Sequence, residues 1–302
     1  MERPLWQVAE RNEPLTIRHL VLLALTVATT TLAGALFSPR FYDLGPLQQL
    51  VFVIHNPSAL LLGLPFMVPL LVVLGIHEMG HYLTARRYGV RVTWPYFLPG
   101  PPFLSLGTFG AFIRLKGAIP DRGALMEIGA NGPFWGFLAS LAAGAAGFGL
   151  RAAGYVFPVD LGVNVRLPLA MWALRGALTG RWGHTVTLFD NPVVLAAWIG
   201  FFVQGLNLLP VGQLDGGHVL YAFARGGHRI WSVLIAVAFL GFALLHPEWL
   251  LWVVLIFFVL GLRHPPCLDD GIPLRPRQVL LGLAAAAIFA VSFVPLPFVW
   301  TD

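Results

Sequence analysis

Long apolar runs broken by short polar segments dominate this chain. They lie near 19–37, 59–85, 123–150, 192–210, 229–245, 247–262 and 278–298. A hydrocarbon core of ~30 Å needs roughly 17 to 25 helical residues, so the pattern predicts about seven transmembrane helices. The sixth run is short, and it meets the fifth at His246-Pro247-Glu248. Two stretches break the pattern. Gly107 to Lys116 alternates and is too polar at its end for a span, which predicts a strand pair or hairpin. Leu167 to Leu178 predicts an interfacial amphipathic helix. The expected fold is an all-α polytopic membrane protein with a small β element.

Composition agrees with that class and adds an orientation. The 302 residues are 57% hydrophobic and 11% charged, with a mean hydropathy of +0.76, far from an ordinary soluble domain. With a cytoplasmic N-terminus, 14 of the 19 basic residues fall inside: Arg3, Arg11, Arg18, Arg86, Arg87, Arg91, Arg114, Lys116, Arg122, Arg225, Arg229, Arg263, Arg275 and Arg277. Outside stand Arg40 and the four arginines of the 151–190 connection. The net charge of +5 therefore reads as membrane topology and attraction to anionic headgroups, not as nucleic-acid binding. Glu2, Glu10 and Glu13 and the lack of a small-residue cleavage site argue against a cleavable leader in the first 18 residues. Cys267 is the single cysteine, which excludes an intrachain disulfide and a cysteine zinc knuckle.

Candidate chemistry sits within the second apolar run, Ala59 to Ala85, as His77-Glu78-Met79-Gly80-His81. On a helix this spacing puts two imidazoles on one face with a carboxylate beside them, a zinc site with a general base. Polar residues near the centre of a span cost a few kcal/mol each, so three within five positions are hard to explain as decoration. A catalytic zinc commonly takes three protein ligands. Arg87 stands where an extended motif would place a third histidine, leaving Glu127, His184, Asp215, His218 and Glu248 as candidates. The second helix runs inward, and His77 lies nine residues before Arg86, about 13 Å deep at 1.5 Å per residue. The fourth helix also runs inward and breaks around Pro210, within reach of the same depth. Broken backbone there is tolerated where it lines a wet cavity, and Asp215 meets both the chemical and the geometric requirement. Glu127 reads mainly as interfacial, and His184 falls outside by this topology. His218 is either a partner of the ligands or a water-facing residue at a helix start.

His77-Glu78-x-x-His81 followed far downstream by Asn207-x-x-Pro210-x-x-x-Leu214-Asp215-Gly216 resembles the site-2 protease family of intramembrane zinc metalloproteases. The resemblance implies a three-helix catalytic core within 59–225, one Zn2+ held by His77, His81 and Asp215, and water activation by Glu78. It also implies a membrane-associated β element, here within 92–118, whose free edge would hold an unwound substrate by strand addition. Residues 1–58 then form an N-terminal cytoplasmic segment, first span and outer loop, and 226–302 the C-terminal helices. The 151–190 connection is too short for the PDZ domain some members insert. The family's Gly-Pro-x-x-Asn pattern departs here, as Gly132-Pro133 is followed by Gly136. Asn207 and Asn131 are the remaining candidates for supporting the oxyanion, each with a rival structural reading, and Gly132, Gly136, Ser140 and Gly144 form a small-residue stripe for close helix contact. The implied activity is intramembrane hydrolysis of transmembrane protein substrates near the cytoplasmic face of a cell (inner) membrane, with the lipid bilayer as the other partner. The rival classes are a catalytically silent helix-binding membrane protein and an ion transporter.

Overall fold

A computed structural model describes residues 13–38, 41, 43–103, 105–155, 164–187, 191–224, 226–254, 261–262 and 264–299. The amino-terminal dozen residues of the leader argument, Arg40, Arg225, Arg263 and the second half of the sixth apolar run lie outside them, as does the side chain of Glu248.

Among the described residues, four helical stretches are long and apolar enough to cross a membrane. They are α1 (Ile17–Leu36), a 3-10 turn (Pro57–Gly63) running into α3 (Leu64–Arg87), α4 (Arg122–Ala152), and α8 (His228–Leu245). About a third or less of each apolar window is buried. The rest, including Val68, Val72, Leu234, Val237 and Leu245, faces outward as apolar surface, as a lipid-facing bundle requires. The protein is a multi-pass membrane protein. Two predicted spans are shorter than expected: α6 (Pro192–Asn207) and α10 (Pro276–Ser292). The predicted seventh run reached 298, yet the chain leaves the helix after Ser292. Pro295 and Pro297 lack the amide a helix needs and disfavour helical backbone before them. In the described part of the sixth run, a 3-10 turn (Pro247–Trp249) leads into the short α9 (Leu250–Val254).

The segments read as outer loops carry structure that the apolar pattern did not reveal. Helix α2 (Pro46–His55) occupies the stretch read as an outer loop and has no buried residue. Between α4 and α6, β3 (Asn164–Arg166) pairs antiparallel with β4 (Thr185–Thr187) and with β5 (Phe298–Val299). The amphipathic stretch forms α5 (Leu169–Thr179), closed by Gly180 at φ +68°. The expected membrane-associated β element is a single antiparallel pair, β1 (Tyr96–Pro99) with β2 (Thr108–Phe112). The segment 107–116 thus supplies one strand, not the strand pair its alternation suggested, because its partner comes from the apolar Tyr96–Pro99. Val92 and Leu115 continue the pairing as an isolated bridge.

Helix α4 is the centre of the molecule, packing on α3, α6, α10 and α7 (Asp215–Ala224). Asp121 caps it by accepting from Ala124 N at 2.8 Å, and Asn191 caps α6 by accepting from Val193 N and Val194 N. Such caps satisfy amides that a helix start would leave orphaned. Glu127 ties α4 to α10 by accepting from Arg277 Nη2 at 2.9 Å and Gln278 Nε2 at 3.0 Å. The connector before α10 lies against the start of α4, where Leu268 N donates to Ile119 O and Asp269 N to Pro120 O. It buries Cys267, whose thiol is pushed up to about 12, first by burial and then by the carboxylate of Asp270. The native protein should therefore resist maleimide at pH 8 and label fully once denatured, read as one adduct by mass spectrometry.

Candidate metal centre

Three helices bring the distant motifs together. His77 and His81 lie one turn apart on α3, and Asp215 opens α7 after the break that follows α6. The backbone turns between Leu208 and Leu214, using Gly212 at φ +56°, and Gly216 lies so close to the Leu208 carbonyl that a Cβ would not fit. This tight reversal returns the chain to the histidines. His77 Nε2 and His81 Nε2 each stand 3.3 Å from Asp215 Oδ2, and 3.0 Å from one another. Donors around a tetrahedral zinc at ~2.0–2.1 Å lie about 3.3 Å apart, so the triangle fits that ion. The set of two imidazoles and one carboxylate suits zinc, and it is the one group of three metal-binding side chains among the described residues.

The outer nitrogen of each imidazole is tied to a fixed acceptor. His77 Nδ1 donates to Gln204 Oε1 at 2.7 Å on α6, and His81 Nδ1 donates to the Ile128 carbonyl at 2.7 Å on α4. An amide or carbonyl oxygen can only accept, so each Nδ1 carries the proton and each Nε2 lone pair faces the centre. Both rings are buried, as is Glu78. The Glu78 carboxylate lies 3.9 Å from His77 Nε2, with the backbone of Ile113, one residue past β2, nearby.

Peptidase family M50 matches residues 65–246, more than half of the chain. The chain belongs to this family, the site-2 proteases. Among M50 relatives, the probable zinc metalloprotease EGY2, chloroplastic, of Arabidopsis thaliana is 31% identical over 281 residues, covering 88% of this chain and 48% of that protein. The probable zinc metalloprotease EGY1, chloroplastic, of the same plant is 31% identical over 255 residues, covering 80% of this chain and 44% of that protein. EGY3, chloroplastic, of Oryza sativa subsp. japonica is 27% identical over 249 residues, 77% of this chain and 42% of that protein. The chain spans about half the length of the curated relatives it matches. No solved structure matches it.

The other candidates separate cleanly. Asn207 Nδ2 stands 3.3 Å from His77 Nε2, at the edge of the metal group. Asn131 turns away, donating to the Glu127 carbonyl of its own helix at 2.8 Å. His218 Nδ1 pairs with His264 Nε2 at 2.6 Å and makes no bond to a metal-group side chain. His184 stacks on Trp172 instead, with ring centroids 5.1 Å apart.

Gln204 was missed from the sequence, although a signal was present. It is a polar residue in an otherwise apolar M50 helix and lies three positions before Asn207, on the same face. Gly136 now has a physical account: a Cβ there would strike the Gln204 amide, with Nε2 at 2.5 Å. Gly132 plays the same part for the His81 ring, whose atoms occupy the place of a Cβ. Two residues of the stripe thus make room for site side chains, while Gly144 lies against Leu174 and Ala197 and Ser140 against Gly200 in close helix contacts. Gln204→Leu should weaken zinc retention about 10- to 100-fold with the fold intact, measured by chelator competition on purified protein. Gly136→Leu should do the same by displacing Gln204.

Proposed function

We propose that this chain is an intramembrane zinc endopeptidase that hydrolyses peptide bonds in or near transmembrane segments of membrane-protein substrates, as regulated intramembrane proteolysis requires. The observation that carries the reading is the closure of His77, His81 and Asp215 into one donor triangle beside Glu78, with both rings and Glu78 buried, on helices whose outer surface is apolar. The relatives named as probable zinc metalloproteases support it.

Zinc held by these three residues would supply Lewis-acid polarisation of the scissile carbonyl and acidification of water. Glu78 takes the proton from the attacking water and returns it to the leaving amine. His77 and His81 are kept in the donor-ready tautomer by Gln204 and the Ile128 carbonyl. Asn207, with its amide at the rim of the triangle, is placed to donate to the developing oxyanion. A substrate helix must unwind before its amide is reachable. The two-stranded sheet supports that step, since its second strand runs directly into Ile113, near Glu78. An extended substrate added along this sheet lies beside the base.

The arginine distribution supports a cytoplasmic N-terminus in a cell (inner) membrane, with the active site toward the cytoplasmic side. Burial of both motif histidines against α4 and α6 leaves α3 as a wall of the site, so water and substrate meet within the protein and not in lipid.

Glu78→Gln should abolish cleavage of a membrane-embedded reporter while one equivalent of zinc is retained, measured in reconstituted vesicles with parallel metal analysis. Full cleavage by this variant would remove the assignment. Asn207→Leu should lower kcat by about 10²-fold or more with little change in zinc content, as for loss of one oxyanion donor.

A further inference from the structure

The Gln204 side chain is spent at one end only. Its Oε1 accepts from His77 Nδ1 at 2.7 Å, while its Nε2 is buried with no hydrogen-bond partner among the described residues. The two ends cannot be exchanged. A His77 ring that turns Nε2 to a metal carries its proton on Nδ1, and of the two amide ends only the oxygen accepts it. The amino end is therefore a fixed donor. A buried donor left unspent costs free energy and calls for a physical account.

Its surroundings narrow the source of an acceptor. Nε2 lies against Gly136 of α4, where a Cβ would stand 2.5 Å from it. The Gly136 carbonyl is no partner, since it lies within α4 and already accepts from Ser140 Oγ at 2.8 Å. The Gln204 amide, with its atoms 2.5 to 2.8 Å from that Cβ position, fills the space in which an asparagine at 136 would carry its own amide. Glycine stands here where the Gly-Pro-x-x-Asn pattern has asparagine. The amide comes from α6 instead of α4, and the glycine opposite admits it.

One turn further along α6, Asn207 Nδ2 stands 3.3 Å from His77 Nε2. The two amides thus flank one imidazole, Asn207 at the metal-facing nitrogen and Gln204 at the outer one. Side chains three apart on a helix share a face, so the pair forms a short row of donors leading away from the metal. An extended peptide offers a carbonyl at every residue and matches such a row. The scissile carbonyl belongs at the metal and Asn207, which leaves a neighbouring carbonyl for Gln204. In the substrate-free molecule α4 and α6 close over Nε2. The unspent bond favours the more open arrangement in which a carbonyl reaches it.

We propose that the Gln204 amino group donates to a backbone carbonyl of the unwound substrate beside the scissile bond, so that Gln204 binds substrate through one end and orients His77 through the other. This rests on the protease reading given above. Because the amide is planar, a substrate that fixes its nitrogen also fixes the oxygen that holds the metal ligand.

The test compares two zinc-binding inhibitors on the full chain in detergent with zinc in excess: acetohydroxamate, which reaches only the metal, and an N-acyl dipeptidyl hydroxamate, which adds backbone carbonyls. Gln204→Glu keeps an oxygen for His77 Nδ1 and removes the donor. It should hold zinc against a chelator as firmly as the unaltered protein, while the affinity advantage of the dipeptidyl compound over acetohydroxamate falls about tenfold, as for one hydrogen bond. Gln204→Met is uncharged and removes both ends. It should lose chelator resistance and the advantage together, and it reads the proposal where the glutamate variant does not fold. Ser140→Ala, which alters the packing beside Gly136, should leave the advantage unchanged. Both inhibitors bound with the advantage unaltered in a folded, zinc-loaded Gln204 variant, or an equal loss in Ser140→Ala, would overturn this proposal alone. If neither inhibitor binds the unaltered protein, the protease reading fails and this proposal with it.

Discussion

Two imidazoles can offer the same nitrogen to one centre only when the opposite nitrogens are tied down. In a chain this apolar no bulk water is at hand to do it, so each tie must come from protein. Gln204 Oε1 and the Ile128 carbonyl supply them, from α6 and α4 respectively. The metal group is therefore a four-helix construction, with its donor side chains on α3 and α7 and its ties on α4 and α6. Each tie also demands that its helix come close to α3, which is why the packing of the core follows from the chemistry of the site.

That closeness is achieved by removing side chains. Gly80 on α3 faces the Asn131 carbonyl of α4, where a Cβ would lie 2.6 Å from the oxygen. Gly132 gives its space to His81 and Gly136 gives its space to Gln204. In a bilayer, where apolar side chains gain little by leaving lipid, small residues that let backbones approach are a main source of helix association. Here the same residues also set the depth to which two polar side chains can enter. The break after α6 completes the arrangement, because Gly212 and Gly216 permit a reversal tight enough to bring Asp215 within 3.3 Å of both histidines.

The two ends of α4 meet different surroundings. Its first half carries Gly129, Gly132 and Gly136, all against side chains or backbone of the metal-centre region. Its last turns meet α5 and the outer three-stranded sheet, where Phe148 joins a cluster with Val165, Met171 and Val186. A long central helix lets the metal face be shaped by the absence of side chains while the far end is shaped by apolar packing.

Much of this was readable from residue order. Apolar runs marked the spans because hydrophobicity is a local property, and the two separated motifs marked His77, Glu78, His81 and Asp215 because metal chemistry restricts residue type and spacing. Pro210 and the following glycines marked the helix break for the same reason. What sequence could not determine was everything that depends on a partner distant in the chain. The strand opposite β2 came from Tyr96–Pro99, and the acceptor that ties His77 came from α6. Gln204 and Gly136 lie 68 positions apart, and neither has meaning alone. Only the tertiary structure sets one in the space left by the other, because a hydrogen bond to a buried imidazole is decided by which helices touch.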